Sequence, residues 1–337
     1  MNRRDFKKLL IWGSVAASTQ SKAKTKHLVK PAPLRTGDLI GLIAPGSAIP
    51  EEKISKSIST LEDLGLQYKM GEFARSVNGY LAGTDAERLS DLHQMFSDPD
   101  IKGIWCLRGG YGCTRLLSAI DYDLVARNPK VLIGYSDITA LHLAFYQKCS
   151  LVTFHGPVAS SEPTLYSIES LKQMVFENGS LMIRSSMDNG PRDDSRYVIK
   201  GGIAEGNLVG GNLSLLAAMV GTDCLPSFEN KLVFIEDIGE KPYRIDRMLV
   251  QLFQATDLSS AAGIIFGQFN DCEAEKNENS YTLKQTLMNQ IQHLNIPIYY
   301  GFSFGHVNQN CTIPLGIRAR FDTNTATLEL LESPTST

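Results

Sequence analysis

The sequence predicts an α/β protein, and three observations carry that expectation. Short apolar runs of strand length alternate with segments of helical periodicity. Loops marked by glycine and proline separate the two kinds of segment. In the second half of the chain the same alternation ends in paired short strands, which adds an antiparallel component. At 337 residues, with 43% hydrophobic and 20% charged positions, the chain has room for two domains and does not fit a collagenous or disordered class.

Asp38-Leu39-Ile40-Gly41-Leu42-Ile43-Ala44 reads as a buried strand stopped by Pro45-Gly46, after which Ile54, Ile58, Leu61 and Leu64 recur at helical spacing. Thr84 with Glu87 forms a capping box for a helix carrying Leu89, Leu92, Met95 and Phe96. Ile101 to Leu107 is the next strand, and Val131-Leu132-Ile133 leads into a helical segment from Ile138 to Phe145. Strands and helices alternating this closely predict a parallel sheet covered on both faces, with ligands at the carboxyl ends of its strands. From about Ser160 to Gly202 the composition turns polar and broken, at Pro163, Asn189-Gly190-Pro191 and Arg192-Asp193-Asp194, which reads as a domain junction. Beyond it come a strand at Leu232 to Ile235 and a helix with Ile245, Met248, Leu249, Leu252 and Phe253. A strand at Gly263 to Phe266 follows, then a helical stretch from Tyr281 to Leu294. Pro297 to Phe302 and a closing pair, Arg318 to Phe321 with Ala326 to Leu330, complete a second α/β domain with a mixed sheet. No internal repeat is visible.

Arg3-Arg4-Asp5-Phe6-Lys7-Lys8 ahead of an apolar stretch through Ala17 reads as an export signal of the twin-arginine type, covering residues 1–25. The stretch is too short for a spanning helix of about 20 residues, so no integral membrane domain is expected. A net charge of -3 gives no electrostatic reason to expect nucleic acid as a partner. The six cysteines form no C-x-x-C pair and have no zinc-site spacing, so neither a metal nor another cofactor is expected.

Gly134-Tyr135-Ser136-Asp137-Ile138 places a serine where a strand gives way to a helix. Such a turn lifts a hydroxyl clear of the backbone, and the helix start offers N–H groups to a developing negative charge. Ile138 stands where the familiar G-x-S-x-G elbow has its second glycine, and a plain helix cap is the alternative role for Ser136. A serine nucleophile needs a base and an acid to orient it. His27 lies near the leader, while His93, His142 and His293 fall in or at the end of predicted helices. That leaves His155, in Thr153-Phe154-His155-Gly156-Pro157, and His306, in the glycine-bounded loop Gly305-His306-Val307-Asn308. Glu236 and Asp237 end the strand at Leu232 to Ile235, with Glu240 just after, and pairing of such acids with Arg244 and Arg247 is the alternative reading. Arg108-Gly109-Gly110-Tyr111-Gly112 follows a strand without a nucleotide-loop ending. Its glycines suit an oxyanion hole or substrate cradle, or a simple tight turn.

Taken in order, Tyr80-Leu81-Ala82-Gly83, Arg108-Gly109-Gly110-Tyr111-Gly112, Gly134-Tyr135-Ser136-Asp137-Ile138-Thr139 and Phe154-His155-Gly156-Pro157 belong with Gly210-Gly211-Asn212-Leu213-Ser214, Ile235-Glu236-Asp237, Tyr243-Arg244-Ile245-Asp246-Arg247 and Gly305-His306. The set resembles the serine LD-carboxypeptidases, which include murein tetrapeptide carboxypeptidases and the related microcin C immunity peptidases. The likeness runs from about Leu34 to Leu331. It implies a Rossmann-like or flavodoxin-like parallel-sheet domain over 34–165 carrying Ser136, and a linker over 166–202. It further implies a second domain over 203–332 carrying Glu236 and His306, with the active site between the domains.

The resemblance also implies roles and a substrate. Ser136, Glu236 and His306 would form a triad, with Glu240 as the fallback acid. The backbone N–H groups of Gly110 and Asp137 would line the oxyanion hole. Arg108, Tyr111 and Arg244 are candidates for gripping substrate, arginine being suited to a terminal carboxylate. The implied partners are peptidoglycan stem tetrapeptides, cut to release a terminal D-alanine, and a homodimer is common in the family. The export signal implies a periplasmic enzyme, and without that signal the chain would be cytoplasmic. Hydrolysis of a peptidyl-nucleotide of the microcin type, or muropeptide binding without catalysis, are the alternatives.

Overall fold

The computed structural model describes residues 27–177, 182–185, 196–276 and 278–336, so the expected export signal and the turns at Asn189-Gly190-Pro191 and Arg192-Asp193-Asp194 lie outside it. β1 (Leu39–Ile43) is followed by α1 (Glu51–Asp63), whose first turn carries Glu51 and Glu52 and whose inner face is set by Ile54 and Leu61. The acids suit the positive end of the helix dipole. β2 (Gln67–Met70) is a half-exposed edge strand that the apolar pattern had not disclosed. α2 (Asp85–Ser97) starts at the expected capping box, with the Glu87 amide donating to Thr84 Oγ1 at 3.2 Å and the Thr84 amide to Glu87 Oε2 at 2.6 Å.

β3 (Ile101–Cys106), α3 (Tyr122–Arg127), β4 (Val131–Gly134), α4 (Thr139–Cys149) and β5 (Phe154–His155) complete the first half. The stretch that composition marked as a junction opens with a regular helix, α5 (Leu165–Val175), and then holds β6 (Met182–Arg184) and β7 (Tyr197–Lys200). The second half runs through β8 (Ile203–Asn212), α6 (Leu213–Ala218), β9 (Lys231–Ile238), α7 (Pro242–Ala255) and β10 (Gly263–Asn270). It ends with α8 (Leu283–Ile291), β11 (Ile298–Tyr300), β12 (Ile313–Pro314), β13 (Arg318–Asp322) and β14 (Thr327–Leu330).

Two sheets result, as the α/β expectation requires. The six-stranded sheet has the order β12-β5-β4-β3-β1-β2 and is parallel except for β12, which runs antiparallel to β5. The order reverses between β1 and β3, and ligand crevices in such sheets open at that point, beyond the strands' carboxyl ends. The eight-stranded sheet has the order β6-β14-β13-β8-β9-β10-β11-β7. Its centre, β8 to β11, is parallel, and its flanks are antiparallel.

The sheets share one continuous apolar core, in which Leu42, Ile104 and Leu132 of the first and Val233, Ile264 and Ile298 of the second are fully buried. Burial of such side chains stabilises by about 1.5–3 kcal/mol each. α4 docks on β8, where the Asn212 amide donates to Thr139 Oγ1 at 3.0 Å. All six cysteines are buried and none is in a disulfide. No helix among the described residues is long and apolar enough to cross a membrane.

Candidate active site

β4 ends at Gly134, and Ser136 opens a single 3₁₀ turn, Ser136–Ile138, that feeds into α4. Ser136 has φ +64°, a left-handed conformation that costs a residue with a Cβ on the order of 1 kcal/mol or more. Neither residue capping these turns, Tyr135 or Ile138, makes a side-chain cap hydrogen bond, so the strained turn is not held together by capping. The glycine loop after β3 lies directly against it. A Cβ on Gly109 would come within 2.9 Å of Ser136 Cβ and 3.1 Å of the Asp137 nitrogen, so only glycine permits this approach. Gly110, at φ +86°, turns the loop away again.

Buried side chains set that loop. The Cys113 amide donates to Asp137 Oδ2 at 2.8 Å, and burial raises the Asp137 carboxyl above its ordinary pKa. Arg88 of α2, 1% exposed, donates to the Gly112 carbonyl at 3.0 Å and to that of Pro45. One guanidinium therefore ties together the loops after β1 and β3 at the point where the strand order reverses. Nothing in its local sequence pattern distinguishes Arg88 from a solvated helix arginine.

Glu236 and His306 come from the other sheet. Glu236, on β9, is fully buried, and its Oε2 stands 2.7 Å from His306 Nδ1. The carboxylate accepts, so Nδ1 carries the proton and Nε2 keeps its lone pair, which is the tautomer a general base requires. A Cβ on Gly305, which has φ +100°, would fall 2.7 Å from Glu236 Oε2, so the residue beside the histidine has to be glycine. The Tyr135 ring lies 4.7 Å, centroid to centroid, from the His306 ring and brings the residue next to Ser136 against the histidine. Burial first, and the Glu236 charge second, push the Tyr135 phenol up to about 12.

α5 holds the histidine loop in place. Ser167 Oγ donates to the Asn308 carbonyl at 3.1 Å and accepts from the Asn310 amide at 3.0 Å, while Asn310 Oδ1 accepts from the Gly305 amide at 3.1 Å. His306, Tyr135, Ser167, Pro157, Ser160 and Ile238 line a cleft of 470 Å³.

Residues 40–156 match the LD-carboxypeptidase N-terminal domain and residues 205–321 the LD-carboxypeptidase C-terminal domain. The chain belongs to the LD-carboxypeptidase family. It is 41% identical over 302 residues to a probable murein peptide carboxypeptidase of Bacillus subtilis, covering 89% of this chain and 94% of that one. It is 36% identical over 290 residues to the murein tetrapeptide carboxypeptidase of Pseudomonas aeruginosa, covering 85% and 93%. Among solved structures, MccF in complex with glutamyl sulfamoyl guanosine superposes with a TM-score of 0.83 at 24% identity, over 91% of this chain and 99% of that one, a likeness of fold.

The other residues expected at an LD-carboxypeptidase site fall in several places. Glu240 sits 3.5 Å from Arg244 and not against His306. Arg244 Nε donates to Tyr243 Oη at 3.2 Å, and Arg108 Nη1 to the Ala48 carbonyl at 2.8 Å, both at the surface. Neither arginine lines the cleft. Tyr111 is half exposed and packs edge-on against Tyr80, with centroids 5.5 Å apart. His155 is fully buried among aromatic rings, 5.4 Å from Phe234 and 6.2 Å from Tyr135, and both its ring nitrogens are without a protein partner. Burial holds its pKa well below the ordinary value, so it stays neutral and has no carboxylate to orient it as a base. Asp237 turns away from the histidine and accepts from Asn212, Ser214 and the Ile238 amide, securing the start of α6.

Proposed function

We propose that this LD-carboxypeptidase hydrolyses peptidoglycan stem tetrapeptides, releasing the terminal D-alanine through an acyl-enzyme on Ser136. The observation that carries the reading is the Glu236–His306 pair, 2.7 Å apart, whose histidine ring lies 4.7 Å from the ring of Tyr135, the residue before a serine held at φ +64°. The names of the two murein peptide carboxypeptidases support the substrate class.

In this scheme His306 Nε2 takes the proton of Ser136 Oγ as the oxygen attacks the carbonyl of the L-configured diamino acid centre. Glu236 stays ionised and stabilises the imidazolium. The tetrahedral oxyanion is received by the backbone N–H groups of Gly110 and Asp137, an assignment supported by the contact of Gly109 with Ser136 and the Asp137 nitrogen. Collapse of the intermediate expels the D-alanine amine with the proton from His306, and water activated by the same imidazole then hydrolyses the ester. The Arg3-Arg4 segment, read as a twin-arginine-like export signal, supports action in the periplasm, where shortening stems to tripeptides removes donors for LD-transpeptidation. Fractionation of cells expressing the full chain tests that location: activity confined to the cytoplasm contradicts it.

Ser136→Ala is the direct test of the mechanism. Its kcat is expected to fall by roughly 10⁴- to 10⁶-fold, the range seen when triad nucleophiles are removed. A variant that keeps its turnover would remove Ser136 from the mechanism. Turnover of a peptidyl-nucleotide in place of any stem would move the reading to the microcin-type substrate.

A further inference from the structure

Tyr135 takes no part in the scheme above, yet its ring is where the serine's segment meets the histidine. Among the described residues the His306 imidazole has one hydrogen bond, from Nδ1 to Glu236, and one ring neighbour, Tyr135, at 4.7 Å with the planes 57° apart. A single hydrogen bond leaves an imidazole free to swing about the bonded nitrogen, and Nε2, on the far side of the ring, then moves most. A second group packed against the ring removes that freedom, and catalytic side chains have to be held within about 0.5 Å and 10–20° of their working geometry. The Tyr135 phenol is pushed up to about 12, by burial first and the Glu236 charge second, so the ring offers the imidazole an uncharged surface.

Tyr135 is itself braced. The His155 ring lies 6.2 Å from it and also meets Phe234 at 5.4 Å and Phe304 at 6.3 Å, while those two phenylalanines pack on each other at 5.7 Å. Each of the three rings around His155 stands just ahead of a residue of the proposed triad: Tyr135 one before Ser136, Phe234 two before Glu236 and Phe304 two before His306. His155 is wholly buried, is kept neutral by that burial and does not line the cleft, so changing it reaches catalysis only through its neighbours. Resting on the function proposed above, we infer that Tyr135 is a positioning residue: braced on His155, its ring fixes the orientation of the His306 imidazole toward the adjoining serine. His155 is the buried backstop on which the three segments bearing the triad are aligned.

The test is a double-mutant cycle read by kcat and KM on a stem tetrapeptide, with urea denaturation to show that each variant is folded. Tyr135→Leu, which keeps bulk and loses the ring, should lower kcat by about 10- to 100-fold, the scale of a misaligned catalytic group, while KM stays within about twofold. Tyr135→Phe should recover most of that loss, because the ring and not the hydroxyl bears on the imidazole. His155→Leu should lower kcat in the same sense, and the double variant should lose less than the two single losses multiplied together. In a His306→Ala background Tyr135→Leu should cause no further loss, since no imidazole is left to orient. Tyr135→Met, whose flexible chain fills the same gap without a ring, takes its place if the leucine variant does not fold. Unchanged kcat in the ringless variant overturns the inference. So does an equal fractional loss in the wild-type and His306→Ala backgrounds, or a change confined to KM, because Tyr135 would then act on the substrate or the fold. These outcomes leave the proposed function standing as long as Ser136→Ala and His306→Ala are themselves impaired. Wild-type turnover in those two variants overturns the proposed function and the inference with it.

Discussion

Glu236 and Glu240 lie close together at the end of one strand, and burial separates their roles. Glu236 is wholly inside and bonded to His306, whereas Glu240 is part-exposed and bonded to Arg244. Glu236→Gln should leave the fold in place, because the amide fits the same space. It should lower kcat by roughly 10³- to 10⁴-fold with little change in KM, since the imidazole loses the partner that fixes its tautomer and steadies its charge. Glu240→Gln should leave kcat within about twofold, as expected for an exposed ion pair outside the reaction. Steady-state kinetics on a stem tetrapeptide check both, and the reverse order of effects would exchange the two acids. The residues alone left this choice open, since two acids near a strand end carry no mark of which one is enclosed. Ser136 and His306 were more legible, because a serine after an apolar strand and a histidine following a glycine in a loop beyond a strand are both placements that can aim a side chain into a cleft.

Helix α5 shows why a whole element can escape a reading of periodicity. Its inward positions are Ser167, Ser170, Leu171, Met174 and Val175, so polar and apolar residues share the buried face. The two serines point inward because they carry the histidine loop: Ser167 bridges Asn308 and Asn310, and Ser170 Oγ accepts from the Thr312 amide at 2.9 Å. Taken one residue at a time, a helix that spends its inner face on hydrogen bonds looks like a polar connector. Ser167→Ala strips the buried Asn310 amide of its partner, which should cost about 1–3 kcal/mol of stability. Urea denaturation should show that loss, and kcat should fall with it as the His306 loop loosens. A variant with unchanged stability and unchanged kcat would show that α5 does not position the loop. By contrast, β1, β3, β4 and α2 were plain in the sequence, because uniform apolar runs and a capping box follow from local chemistry alone.

At the scale of the molecule, β4 of the first sheet ends in a strained serine packed against the glycine loop after β3, and the second half of the chain carries a buried acid and its histidine. β12 leaves the second half and pairs with β5 of the first, setting Ile313 opposite His155. This tie between the halves has no local signature, since it depends on residues far apart in the chain. Behind the serine turn, His142 Nε2 donates to the Gly134 carbonyl at 2.8 Å, and burial lowers its pKa from 6.5 to about 4. A histidine lowered in the folded state takes up protons first when unfolded, so its contribution to stability is lost as pH falls from about 6.5 to about 4, by up to about 3 kcal/mol. His142→Phe should therefore gain stability relative to wild type across that window in urea titrations, and a pH-independent difference would contradict the assignment. The central claim is tested most directly by mass spectrometry of wild type and Ser136→Ala protein incubated with a stem tetrapeptide and with the same stem ending in L-alanine. The account predicts loss of the terminal residue from the D-ended stem by the wild type alone. Release of L-alanine at a comparable rate, or release of D-alanine by the Ser136→Ala protein, would contradict it.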